Sequence, residues 1–173
     1  MANTSLIPID FNIIVNETQS LHGSMISATP GGIDPVRKNY NPSGSLTDRN
    51  PIVSFKFSPF KFKVTTYPKG LASLPVGEKI ILSFREYLVD DVDQTEMGIR
   101  HYYEGELDPP KESERKSGDL VEWDYEVMNT SVYIKYVDET VVDEARTKPD
   151  MLMLNGNVIF SGRNRILGIK DIA

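Results

Sequence analysis

Apolar and polar residues alternate along most of this chain, and helical spacing is almost absent. In LVEWDYEVM the odd positions Val121, Trp123, Tyr125 and Val127 are apolar, while Glu122, Asp124 and Glu126 between them are acidic. A period of two marks a strand with one dry face and one wet face. Asn129-Thr130 then offers a turn into SVYIKYV, so residues 120–137 read as a hairpin whose arms pair with each other. EKIILSFREYLV sets Ile80, Leu82, Phe84 and Leu88 on one side and Lys79, Ser83 and Arg85 on the other. DFNIIV, MGIRHYYEGEL and the pair MLML and NVIF read as further strands, the pair joined at Asn155-Gly156, a dipeptide suited to positive φ at both positions. RILGI reads as the last strand. One stretch predicts a helix: in DETVVDEARTKP, Asp138 can cap, Glu139 and Asp143 suit the first half, Arg146 and Lys148 suit the end, and Pro149 stops it.

SFKFSPFKFKV, residues 54–64, holds four of the seven phenylalanines and three lysines. Its parity changes midway: Val53, Phe55 and Phe57 are odd, whereas Phe60, Phe62 and Val64 are even. An unbroken strand would send the two sets to opposite faces. Pro59 has no amide proton for a ladder, so a bulge or bend at Ser58-Pro59 returns all four rings to one face. Lys56, Lys61 and Lys63 then lie opposite the rings. A base-stacking platform needs rings exposed beside cations, so this parity argues for a bent core strand over a nucleic-acid surface.

Two segments lack periodicity. Residues 16–50 carry Pro30, Gly31, Gly32, Pro35, Pro42 and Gly44, and residues 108–119 read DPPKESERKSGD. The first is too long to be idle in a compact domain and is expected to be a loop or arm; the second is expected to be an exposed loop. Many short strands, Gly and Pro turns and one short helix define an all-β class: an antiparallel β-sandwich or barrel with a long irregular arm in its N-terminal half. At 173 residues the chain suits a single domain spanning 1–173.

Composition narrows the chemistry. The chain has no cysteine, which excludes disulfides, thiol nucleophiles and thiolate metal sites. No apolar run reaches the roughly 18 residues needed to span a bilayer. The first segment, MANTSLIPIDFNIIVNE, has no basic residue before its apolar part and is a poor signal peptide. Cytoplasmic synthesis is therefore expected, and the triplets N-x-S/T at Asn3, Asn16 and Asn129 read as chance matches. The net charge of −6 is unevenly spread. Residues 51–70 hold four lysines and no acid, whereas residues 86–126 hold 14 acids against four Lys and Arg, a local charge of −10. Such a bipolar map favours docking to copies of itself or to other protein subunits of an assembly over adhesion to polyanions, and makes nucleic acid an unfavoured partner.

Candidate chemistry is sparse. There is no nucleophile elbow, phosphate-binding glycine loop or zinc-protease signature, so no catalytic set is assigned and no cofactor is expected. RHYYEGE contains the most reactive grouping, His101 with Glu104 and Glu106; with Tyr102, Tyr103 and Trp123 these residues are candidate ligand contacts. Asp90, Asp91, Asp93 and Glu96 concentrate oxygen ligands as a candidate cation site, although they lack the spacing of an EF-hand loop. The basic turn at Ser161–Arg165 would hold an anion weakly. The function these features favour is non-enzymatic: a structural or assembly protein, as in a virion, tail or other particle. Its arm would present Leu21, Met25, Ile26, Ile33, Val36 and Tyr40 to a neighbour. The alternatives are a β-barrel binding a carbohydrate or small apolar ligand, and an enzyme using His101 with Glu104 or Glu106.

Overall fold

The computed structural model describes residues 5–39, 50–65, 69–72, 74–75, 77–112, 117–118, 120–147 and 150–159. The chain is all-β with antiparallel sheets. In order the strands are β1 (Leu6–Val15), β2 (Gln19–Ser20), β3 (Met25–Thr29), β4 (Ile33–Arg37), β5 (Ile52–Phe57) and β6 (Phe60–Val64). A single helical turn, α1 (Lys69–Ala72), precedes β7 (Lys79–Asp90), β8 (Glu96–Leu107), β9 (Lys111–Glu112) and β10 (Trp123–Val137). β11 (Thr140–Thr147), β12 (Asp150–Leu154) and β13 (Asn157–Val158) follow. Among the described residues the main sheet runs β13-β12-β11-β10-β8-β7-β1-β2, with β6 and β9 on β10 and β3 on β6, while β4 and β5 form a separate ribbon. It does not close into a barrel. No described helix is long and apolar enough to cross a membrane.

β10 is the strand that turns one sheet into two layers. Its first half pairs with β6 from Trp123↔Val64 to Val127↔Phe60, and its second half pairs with β11 from Val132↔Arg146 to Val137↔Thr140. β8 lies along the other side, with a register break between Met128 and Val132. The predicted hairpin at Asn129-Thr130 is therefore corrected: Asn129 does adopt a positive φ of 49°, but it makes a bulge inside one long strand. Trp123 pairs with β6, not with the segment containing Tyr133 and Ile134. Opposite the bulge stands Gly105, where a Cβ would lie 2.8 Å from the Met128 carbonyl oxygen, so the close crossing needs glycine.

The predicted helix over 138–149 is also corrected. Asp138 and Glu139, with φ of 46° and 68°, form a tight turn between β10 and β11, and Thr140–Thr147 is a strand. The β-branched run Thr140-Val141-Val142 and an open edge on β10 outweigh charges that would equally have suited a helix. Lys148 and Pro149 lie outside the described residues, as does the RILGI strand. The Asn155-Gly156 turn holds, with φ of 50° and 73° between β12 and β13.

The bend at Ser58-Pro59 is larger than a bulge: it carries the chain out of the β4–β5 ribbon and into the main sheet. Phe60 and Phe62 are buried, and Phe57 packs against the core half-buried, as Phe55 is half-buried in the ribbon. Lys56 and Lys61 are exposed. Residues 16–37 are likewise no irregular arm, for β2, β3 and β4 run through them. Leu21 is a core residue at 4% exposure, and Met25 and Ile33 pack against the core. Ile26 is exposed, Val36 half-buried, and Tyr40 lies outside the described residues.

The core lies between the layers. Phe60 centres it, with ring centroids 5.0 Å from Tyr103, 5.3 Å from Phe84 and 5.7 Å from Phe62. Phe62 stacks on Tyr125 at 5.1 Å. Ile13, Val15, Ile80, Leu82 and Val127 complete the packing. Phe60→Ala is expected to lower stability by about 3–5 kcal/mol in urea unfolding. Val53→Ala, on an exposed ribbon position, is expected to change it by less than about 0.5 kcal/mol. Equal losses at the two positions would contradict this placement of the core.

Candidate functional site

His101, Tyr103, Gly105 and Leu107 alternate onto the buried face of β8, leaving Tyr102, Glu104 and Glu106 on the outer face. The structure therefore does not bring His101 to Glu104 or Glu106, because neighbouring strand positions point to opposite sides. His101 is 6% exposed and stacks parallel to Tyr103. Its Nδ1 lies 3.2 Å from the Tyr133 hydroxyl and its Nε2 3.5 Å from Glu86 Oε2. With a neutral imidazole, Tyr133 O–H donates to Nδ1 and Nε2–H points to Glu86. The Tyr103 hydroxyl donates to the Gly31 carbonyl oxygen at 2.9 Å. Burial pushes the Tyr103 and Tyr133 phenols well above their ordinary value. Glu86, His101 and Tyr133 thus form an acid–imidazole–phenol row whose imidazole is sealed among Phe84, Tyr103 and Tyr133. It secures a polar residue inside the core, and Glu86 is a partner that the sequence reading did not name. Its signal was parity across a hairpin, since Phe84 pairs with His101 and Glu86 lies two residues on.

On the outer face the Tyr102 hydroxyl donates to Glu104 Oε1 at 2.9 Å. Burial, then the Glu104 carboxylate, pushes Tyr102 up to about 12. Glu106 Oε2 accepts from Asn129 Nδ2 at 2.8 Å. Trp123 is half-buried in the layer that β6 shares with β10. The six candidate ligand contacts consequently fall on three surfaces rather than in one pocket.

The acidic residues 90–96 build the β7–β8 turn. Asp90 is 1% exposed, and its Oδ1 accepts from the Val92 and Asp93 amides at 2.8 and 3.2 Å. Asp93 Oδ1 accepts from the Thr95 amide at 2.9 Å, and hydrogen bonds from Thr95 hold its carboxyl below the usual range. Glu96 accepts from the Tyr87 hydroxyl, which pushes that phenol upward. The side chains of Asp91, Asp93 and Glu96 are exposed, and among the described residues no three His, Cys, Asp or Glu gather as a metal centre. Asp90 and Asp93 are thus engaged as turn acceptors, and Glu96 is engaged by a tyrosine hydroxyl.

The uneven charge of the sequence is partly paired inside the chain. Across the β6–β10 register, Lys61 Nζ lies 3.2 Å from Glu126 Oε1, and Lys63 Nζ lies 2.8 Å from Glu122 Oε2 and 3.6 Å from Asp124 Oδ1. The Glu122 hydrogen bond, with Asp124 beside it, raises the Lys63 amine. Half-exposed pairs of this kind add little stability, but an altered register would oppose unlike faces. Another distinct surface is the ribbon: Ile52 is 39% and Val53 51% exposed, flanked by Arg37, Lys38 and Lys56. No protein-family model matches this chain, and no curated protein matches its sequence.

The raised phenols predict alkaline sensitivity. An unfolded tyrosine releases its proton near 10, so the native state keeps its full advantage below that pH and loses it as pH climbs towards about 12, the value of Tyr102. Tyrosinate absorbance, followed with circular dichroism, should show a late ionisation step that coincides with unfolding. Smooth ionisation of every tyrosine near 10 with the fold intact would contradict the buried placement.

Proposed function

We propose that the chain is a non-enzymatic subunit of a multi-subunit particle, such as a virion or tail, and that the β4–β5 ribbon is its docking element. The observation that carries this reading is the ribbon's separation from the main sheet, with Ile52 and Val53 turned to solvent. A two-stranded ribbon is marginal alone and gains from being covered, while its outer backbone edges can accept another strand. Ile33 and Phe57 root it on the core, so little ordering entropy is lost at its base on docking.

Charge selects a second copy of the chain as the occupant. The described ribbon residues 33–39 and 50–57 carry Arg37, Lys38 and Lys56 against Asp34, whereas the β7–β8 turn carries Asp91, Asp93 and Glu96 exposed and no base. Joining the ribbon of one copy to the turn of the next is a head-to-tail contact, which builds rings or filaments. The enzyme alternative loses support, since His101 is buried away from Glu104 and Glu106.

Sedimentation velocity tests the reading. The wild-type chain should form a defined assembly that weakens as salt is raised, and the double variant Ile52→Asp, Val53→Asp should sediment as a monomer with an unchanged circular dichroism spectrum. A variant that assembles as the wild type does would remove the ribbon from the interface.

A further inference from the structure

The outer face of the main sheet carries side chains in aligned rows. Across β1, β7, β8 and β10 one row reads Asn12, Arg85, Arg100 and Tyr136, and the next reads Ile14, Ser83, Tyr102 and Ile134. Arg85 and Arg100 are direct cross-strand partners, an arrangement in which like charges repel. Among the described residues no acidic side chain lies within 4.0 Å of either guanidinium. Arg100 is instead fixed over the Tyr136 ring, 4.0 Å from its centroid. Beside this pair the Ser83 hydroxyl is buried with no hydrogen-bond partner among the described residues. Ser83, Arg85, Arg100, Tyr102, Tyr136 and Glu17 line a concavity of about 370 Å³.

Within the concavity these features are polarised along the strands, while Asp138 and Glu139 line a second depression on the other side of Arg85, Arg100 and Tyr136. The arginine row is one end; four residues along β7, Ile81 stands opposite Glu104 and beside Asn16, next to Glu17. At about 3.3 Å per residue the cationic and acidic ends are separated by roughly 13 Å. We propose that this concavity binds a carboxylate-bearing sugar ring, a uronate. Its carboxylate meets the two guanidinium groups, which present planar donors suited to a carboxylate. On turning about χ1 the Ser83 hydroxyl, closed to solvent in this structure, meets one ring hydroxyl, and another ring hydroxyl donates to Glu17. The acids at the far end disfavour the second negative charge of a phosphate, whereas a uronate has one charge and several hydroxyl donors. A volume near the lower end of the roughly 300–1,000 Å³ of small-molecule sites fits one ring rather than an extended chain.

Calorimetric titration of the full chain with glucuronate, glucose and inorganic phosphate tests the site independently of assembly. Glucuronate should bind at least about tenfold tighter than either glucose or phosphate. Arg85→Gln is the informative variant, because Arg85 is exposed and its loss leaves the Arg100–Tyr136 contact in place. It should weaken glucuronate at least about tenfold with an unchanged melting temperature. Ser83→Ala should weaken it further in combination, and Lys56→Gln and the ribbon double variant should bind as the wild type does. Absence of saturable glucuronate binding, phosphate binding of equal affinity, or wild-type affinity in Arg85→Gln would each overturn the proposal.

Discussion

The structure turns on one close backbone contact, where Gly31 meets Ser58 and Pro59. A Cβ on Gly31 would lie 2.3 Å from the Ser58 carbonyl oxygen and 2.8 Å from the Pro59 carbonyl carbon. The Ser58 amide donates to the Gly32 carbonyl at 2.9 Å, and the Gly32 amide donates to Ser58 Oγ at 2.8 Å. Tyr103 closes the clasp from the core through its bond to Gly31. Two antiparallel segments, β3 running into β4 and β5 running into β6, bend together there. Pro59, without an amide proton, ends the ladder on its side. Phe60 is thereby delivered to the core, and the ribbon is delivered away from it.

Much of the strand content was legible because each sheet face is buried on one side only. Parity identified Tyr125, Val127, Ile80, Leu82 and Phe84 as core and exposed the change of phase at Ser58-Pro59. Parity says nothing of partners, which is why the 123–137 strand reads as a hairpin: Asn129 suits a turn and a bulge equally, and only the approach of Gly105 decides between them. The Thr140–Thr147 strand was hidden for a similar reason, since its acids and bases fall where helix termini want them. Residues 16–37 were obscured by their Gly and Pro, of which Gly23, Pro30, Gly31 and Gly32 serve corners between short strands while Pro35 sits inside β4.

The candidate site was less legible than the fold. His101, Glu104 and Glu106 are close in sequence, yet alternation alone separates them across the sheet. The pairing of Lys61 and Lys63 with Glu122, Asp124 and Glu126 was available in principle as two period-two runs of opposite sign. Its consequence is that charge asymmetry along a chain becomes a local ladder once the strands are adjacent. Charge left unpaired among the described residues includes a basic ribbon, an acidic turn and an opposed arginine pair on the outer face.

Hydrogen–deuterium exchange compared between dilute and concentrated protein tests the assembly account most directly. It predicts that protection gained on concentration falls on the ribbon amides of 33–37 and 52–57 and on the β7–β8 turn at 91–96, with the remaining strands unchanged. Protection gained elsewhere, with the ribbon exchanging at the same rate at both concentrations, would contradict it.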